Sequence, residues 1–275
     1  GYMNRPLARL ARAAQQLSRG QTPNPLPETG AIEIRELNAS FNRMVTELEN
    51  AQNDRNLMLA GISHDLRTPL ARMRLEIEMS TMTEEQRWGI DQDLSQVDRT
   101  IGQLLEYARP ARKPPSRPIN LVDVAQDIVH QEQSHQSRAG LTFSVKARGG
   151  TYCLIDQQDF SRCLLNLIEN ARRYGATKQG DSIIEVVVQT RNNRLYVDVR
   201  DRGPGIAPED IARLMRPFSR GDAARTGGTG AGLGLSIVER LVSPAAGRLR
   251  LLQREGGGLT ARLDLPRARR APQKK

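Results

Sequence analysis

Four stretches of this 275-residue chain carry residue types whose spacing could support chemistry. The first is Ser63-His64-Asp65-Leu66-Arg67-Thr68-Pro69-Leu70. A neutral imidazole nitrogen is a nucleophile near pH 7, and the neighbouring Asp65 carboxylate can take up its proton or fix its tautomer. Thr68, four residues on, shares the histidine's face of a helix. Pro69 withholds the N–H that the Asp65 carbonyl would accept, which predicts a bend or loosening just below His64. Taken alone, such a pair reads more simply as a solvated histidine beside a helix kink, and its context decides.

The second stretch lies on a helical pattern from 157 to 174. Leu164, Leu167, Ile168 and Ala171 follow the i, i+3, i+4, i+7 rule and mark a core side, so Asn166, Asn170, Arg173 and Tyr174 share a polar one. Neutral amide oxygens suit a hard divalent cation that keeps water and is shared with phosphates, as Mg²⁺ is, and the arginine offers phosphate charge compensation. Two such asparagines by themselves are more often surface amides. The third stretch, Asp201-Arg202-Gly203-Pro204-Gly205-Ile206, follows a strand ending at Arg200. A carboxylate there can accept a hydrogen bond from an exocyclic amine, and Gly203 and Gly205 allow a tight turn; a simple loop fits these six residues nearly as well.

The fourth is the glycine-rich run 226–235, with Gly230, Gly232, Leu233 and Gly234 leading into a helix whose first N–H groups can cradle phosphate. Its alternating glycines match neither the dinucleotide fingerprint nor a Walker loop, and a mobile linker is the plain alternative. Phe218, Arg220 and the residues to Thr229 connect the third and fourth stretches and could close over a ligand.

The elements that position these groups fall into three zones. To about Ala108 the chain is helical by pattern. Apolar residues step by three and four at Leu7, Leu10, Ala14 and Leu17, again from Ile34 to Leu48 and from Leu59 to Ile77, and after a break at 81–83 from Ile90 to Ala108. The Pro-rich 21–30 segment interrupts the first two runs. A helix over 34–77 is on the order of 65 Å long, too long for a compact monomer, so a parallel dimer forming a four-helix bundle is expected. Residues 109–118 hold four prolines and four basic residues and read as a semi-rigid linker. Beyond it, strands over 141–147, 183–190, 195–200, 248–253 and 259–265 mix with helices over 121–135, 157–174, 208–213 and 233–242, which is an α/β sandwich with a mixed sheet.

Composition limits the alternatives. Lys and Arg (41) exceed Asp and Glu (31), for a net charge of +10, but aromatics are only 4%, so base stacking on nucleic acid lacks its platforms. Hydrophobic residues are 38%, and any core must be largely aliphatic. No apolar run approaches the ~18 residues of a membrane span, and the Arg-studded first 20 residues lack a signal peptide's apolar region; as given, the chain reads as soluble. Cys153 and Cys163 imply neither a disulfide framework nor a zinc cluster, and a reducing compartment fits. The basic tail 267–275 keeps attraction to an acidic leaflet open.

In this order and at these spacings, the stretches resemble a bacterial sensor histidine kinase of two-component signalling, nearest the EnvZ-like osmosensor group. Residues 1–53 look like a HAMP signal-relay module and 54–108 like the dimerisation and phosphotransfer hairpin (DHp), with SHDLRTPL as its H box. After the 109–118 linker, 119–266 resembles a GHKL (Bergerat-type) ATP-binding domain. There NLIENARRY is the N box, Asp201 to Ile206 the G1 box, Pro217 to Arg220 the F box and Gly230 to Leu235 the G2 box. The resemblance implies that ATP and Mg²⁺ bind, His64 accepts the phosphoryl group, Asp65 acts as base or orienting partner and Thr68 positions water for dephosphorylation of the partner. It assigns Asn170 to the metal, Asn166 and Arg173 to the triphosphate, Tyr174 to the adenine face, Asp201 to its amino group and the Gly230 to Gly234 backbone to the phosphates. It further implies a homodimer, an OmpR-like response regulator receiver domain as partner, no nucleic acid, and the cytoplasmic portion of an inner-membrane protein anchored by a transmembrane segment absent from this chain. The sequence departs from the family after the G2 helix, at Ser243-Pro244-Ala245-Ala246-Gly247. An ATPase with the same nucleotide fold and no need of His64 is the competing class.

Overall fold

The computed structural model of the chain describes residues 4–18, 22–109, 112, 114–135, 139–176, 182–219, 231–254 and 256–269. Arg220 and Gly230 of the expected site, and the end of the basic tail, lie outside the described residues. The chain divides into two compact units, Gly1–Arg72 and Met73–Lys275.

In the first unit, α1 (Asn4–Ser18) and the non-helical stretch 22–31 precede the start of α2 (Ile32–Glu78). A proline-rich connector cannot satisfy its own backbone by helix or ladder, so side chains of α2 do so. Asn42 accepts from the Leu26 N–H at 2.9 Å and donates to the Leu26 carbonyl at 2.9 Å, while Asn38 donates to the Pro27 carbonyl at 2.8 Å. Ala13, Pro23, Leu26 and Val45 are buried among the described residues of this unit. Helix α2 continues through Pro69 without a break.

In the second unit, α3 (Glu84–Ala108) opens on a reciprocal cap: the Thr83 hydroxyl accepts from the Gln86 N–H and the Gln86 carboxamide accepts from the Thr83 N–H, satisfying two donors that the first turn leaves open. The α/β part follows as β1 (Ile119–Asn120), α4 (Leu121–His135), β2 (Ala139–Lys146), β3 (Tyr152–Cys153), α5 (Gln157–Tyr174), β4 (Ser182–Arg191), β5 (Arg194–Arg200), α6 (Pro208–Leu214), α7 (Gly234–Val242), a 3-10 turn (Ser243–Ala245), β6 (Arg248–Gln253) and β7 (Leu259–Pro266). The main sheet has the order β2-β4-β5-β7-β6, parallel between β2 and β4 and antiparallel elsewhere. Helices α4, α5 and α7 supply one layer of the core and the strands the other, with Phe160, Leu164, Leu167 and Ile168 of α5 and Ile184, Val197 and Leu263 of the sheet essentially inaccessible. This is the mixed-sheet sandwich that the pattern of elements predicts.

The β4–β5 hairpin closes through Asn192 and Asn193, both at positive φ (49° and 59°), the geometry whose twist matches paired strands. The two-residue β1–β3 ladder is too short for alternation to register in sequence. At the departure noted above, the chain leaves α7 through the 3-10 turn and a left-handed Ala246 (φ 53°). Both cysteines are free and buried, and burial pushes the Cys153 thiol up to about 12 and the Cys163 thiol in the same direction. On the other face of the sheet, the inaccessible Asp198 carboxylate receives Arg262, Arg200 and Gln189, as a buried charge requires.

Because Phe160 is fully enclosed between α5 and the sheet, Phe160→Ala should cost about 3–5 kcal/mol. A urea titration followed by circular dichroism should show a lowered midpoint; an unchanged midpoint would mean that this residue does not organise the core.

Candidate functional site

Helix α5 is set by its two faces. Asp156 caps it by accepting from the N–H groups of Gln158 and Asp159, and the buried stripe Leu164, Leu167, Ile168 and Ala171 turns Asn166, Asn170, Arg173 and Tyr174 the other way. Asn170, Arg173 and Tyr174 line a cleft of about 340 Å³. Asn166 stands beside it and donates to the Arg162 carbonyl at 2.9 Å. Arg173 forms an ion pair with Glu169 at 2.8 Å, so an incoming phosphate would compete with a carboxylate for it.

The N-terminus of α7 closes on the same face. A Cβ at Gly234 would lie 3.0 Å from the Asn170 Nδ2 and 3.2 Å from its Oδ1, so the glycine lets the helix start approach the amide. Gly232 and Leu233 also line the cleft there. An anion in this position would meet the N–H groups of a helix start with Asn170 alongside.

The opposite end is built around Asp201, which follows β5 and is 7% exposed. Its Oδ1 accepts from the Gly203 N–H at 2.9 Å and from the Leu259 N–H at 3.0 Å, which leaves Oδ2 as the oxygen with lone pairs to offer the cleft. Burial raises its pKa above the usual carboxylate value, and the two N–H bonds and the charge of Arg254 oppose that rise. Gly258, at φ +103°, brings β7 so close that an added Cβ would stand 2.2 Å from the Asp201 carbonyl oxygen. Gly205 is on the cleft wall; Gly203 contributes its N–H behind it. Leu167, Val199, Ile206, Leu214 and Ala261 make the walls apolar.

Apolar walls, one buried carboxylate and an anion-seeking helix start suit a flat amine-bearing ring joined to phosphates, and the volume falls in the range of ligand pockets. The amide oxygen of Asn170 suits Mg²⁺ shared with such phosphates.

Sequence reasoning missed the contribution of α3. Gln103 lines the cleft and its Oε1 accepts from the Ala231 N–H at 3.0 Å. Glu106 pairs with Arg162, Arg240 donates to the Tyr107 carbonyl and lies 5.6 Å over its ring, and Tyr107 meets Phe218 edge-on at 6.2 Å. Phe218 thus faces the helix rather than the cleft lining, and it sits at positive φ (61°), unusual for a bulky side chain. The Leu259 N–H and Gly258 were missed too; the only signal for them was the glycine run 256–258.

In the first unit, His64 is 84% exposed, with Nδ1 3.4 Å from Asp65 Oδ1. Thr68 donates to the His64 carbonyl at 3.4 Å, so all three groups are on one exposed stretch of α2. A proton on Nδ1, facing Asp65, leaves the Nε2 lone pair outward.

Three domain families match the chain: the HAMP domain over residues 1–50, the His Kinase A (phospho-acceptor) domain over 54–112, and the histidine kinase-, DNA gyrase B- and HSP90-like ATPase over 155–269. The chain is 31% identical to the sensor histidine kinase CpxA of Escherichia coli K12 over 97% of its own length and 59% of that protein's. It is 30% identical to the sensor protein RstB of the same strain, covering 97% and 61%. The chain therefore spans about three fifths of these curated relatives. Among solved structures it resembles full-length ShkA in complex with AMPPNP, with a TM-score of 0.58, 25% identity, and 78% and 46% of the two chains covered.

The raised pKa of Asp201 has a consequence for stability. A carboxyl favoured in its neutral form by folding costs stability when ionised, so the cost is full at pH values above its folded pKa and vanishes as pH falls through the unfolded carboxylate range. Asn at this position keeps the oxygen that accepts from Gly203 and Leu259. Asp201→Asn should therefore raise the thermal midpoint without ligand at pH 8, with a gain that shrinks towards pH 4; a gain that grows on acidification would show that the carboxylate is stabilising.

Proposed function

The chain belongs to the sensor histidine kinase family, and on that premise we propose that it uses ATP to phosphorylate His64 and passes the phosphoryl group to an aspartate of a response regulator receiver domain. The observation that carries this reading is the cleft, in which a buried strand-end carboxylate and a helix start stand at the two ends of apolar walls.

Each residue has a role that its surroundings allow. Asp201 Oδ2 accepts from the adenine amino group, and the apolar walls with Tyr174 exclude water from the ring. The N–H groups at the start of α7 hold the phosphates, with Arg173 exchanging Glu169 for a phosphate oxygen. The amide oxygen of Asn170 would hold Mg²⁺, which would supply charge neutralisation for the nucleotide phosphates. The Nε2 of His64 then forms the N–P bond as the P–O bond to ADP breaks and ADP leaves with the electron pair. Asp65 holds the proton on Nδ1 and stabilises the imidazolium. Little covalent chemistry falls to the protein, so positioning and charge account for most of the rate.

The domain limits follow the same reading: a relay module over 1–53, the phosphotransfer hairpin over 54–108, a linker over 109–118 and the ATP-binding domain over 119–266. A homodimer is supported by the exposure of seam residues Ile62 (45%), Leu66 (44%) and Val97 (45%) in the single chain. Each would contribute roughly 1.5–3 kcal/mol on full burial. No helix among the described residues is long and apolar enough to cross a membrane. The HAMP match supports an anchor in a segment outside this sequence, with this chain on the cytoplasmic side of the inner membrane. Thr68, on the exposed stretch with His64, would position water for dephosphorylating an OmpR-like partner.

Incubation with γ-labelled ATP and Mg²⁺ should place acid-labile, alkali-stable label on the protein, lost by at least two orders of magnitude in His64→Gln. Phosphate release without protein labelling would establish the ATPase class instead. Thr68→Ala should keep the labelling and slow dephosphorylation of a phosphorylated receiver domain about a hundredfold, the lower end of the range for a positioned proton-transfer group; unchanged dephosphorylation would remove Thr68 from that role.

A further inference from the structure

Gln103 belongs to the phosphotransfer helix α3, yet its carboxamide oxygen sits 3.0 Å from the Ala231 N–H, 128 residues away, at the cleft. Ala231 comes just before Gly232, which has φ +69°, and the start of α7 at Gly234. A backbone N–H at the approach to a helix N-terminus is a donor that an anion takes in preference to a neutral acceptor, because a charge-assisted hydrogen bond is roughly twice as strong. Here the neutral carboxamide of Gln103 holds it.

The rest of the helix end is secured around this contact. Arg162 binds both the carboxylate and the carbonyl of Glu106, Arg240 holds the Tyr107 carbonyl, and Leu104 and Tyr107 pack against the domain core. Glutamine at position 103 is thereby delivered to the cleft by a docked helix rather than by a free side chain.

We propose that Gln103 is a built-in stand-in for a nucleotide phosphate: its oxygen occupies a donor of the G2 segment that a phosphate oxygen of ATP takes, so nucleotide binding and docking of the last turns of α3 compete. The inference rests on the nucleotide reading of the cleft. It makes Gln103 a positioning residue that couples the two, and by linkage the coupling acts equally in both directions: nucleotide loosens the helix end, and a docked helix end weakens nucleotide. The coupling is of the size of one neutral hydrogen bond, small enough for a change in helix packing upstream to reverse it.

The test is the affinity of the full chain for ATP with Mg²⁺, by calorimetry, in the wild type and two variants. Gln103→Ala removes the competitor and keeps a good helix former, so Kd should fall about three- to tenfold. Gln103→Glu offers the same N–H a charged acceptor and repels phosphate, so Kd should rise about tenfold or more. A merely structural role for Gln103 would weaken binding in both variants or change neither, and either result overturns the proposal. Hydrogen exchange over residues 100–108 should accelerate on adding ATP to the wild type and be fast already in Gln103→Ala; no acceleration in the wild type overturns the competition. A wild-type chain that binds no ATP overturns the nucleotide reading itself, which is distinct from a binding wild type whose variants do not diverge.

Discussion

A carboxylate kept 7% exposed at the end of a strand is the constraint on which the cleft depends. Removing Asp201 from water disfavours its charge, and the opposing groups come from two directions: the Gly203 N–H just after it and the Leu259 N–H from the neighbouring strand. Both fall on one oxygen. The sheet register between β5 and β7, where Arg200 faces Thr260, brings the Leu259 N–H there, and the left-handed Gly258 makes the approach possible. A group prepared in this way is costly without a partner and selective with one, because a ligand lacking a donor would leave the desolvated oxygen unsatisfied.

The same economy shapes α5. One helix has to bury six apolar side chains, Phe160, Cys163, Leu164, Leu167, Ile168 and Ala171, in the sandwich and present amides, an arginine and a tyrosine to the cleft, and a 3.6-residue period allows both only if the two sets are interleaved. Gly234 then sets how near the start of α7 comes to Asn170. Aliphatic packing behind the cleft, from Leu167, Val199 and Ala261, serves as core and as cleft wall. Rigidity of the site is therefore the rigidity of the core.

The first unit is held differently. Its connector is tied to α2 by Asn38 and Asn42, and its apolar seam is largely exposed in the single chain. A helix with an uncovered seam has alternative packings close in energy, which is the property a relay of conformational signals requires. The end of α3, by contrast, is bound to the nucleotide domain through Gln103, Glu106 and Tyr107. Within the second unit the phosphotransfer helix and the cleft are thus physically continuous.

Sequence alone determined the helices, the five main strands and the two-faced α5, because each is written in the spacing of near neighbours. His64 beside Asp65, the strand-end Asp201 and the glycine-rich helix start were legible for the same reason. Tertiary structure alone decided that the Leu259 N–H completes the Asp201 site, that Phe218 turns to Tyr107, and that Gln103 reaches Ala231. These three pairs are 58, 111 and 128 residues apart, and no period or turn rule connects such positions. The Arg173–Glu169 pair joins i,i+4 neighbours on α5, and what the tertiary structure adds is that its arginine lines the cleft. Long-range contacts are set by how finished elements pack, and that choice is made by the whole core at once.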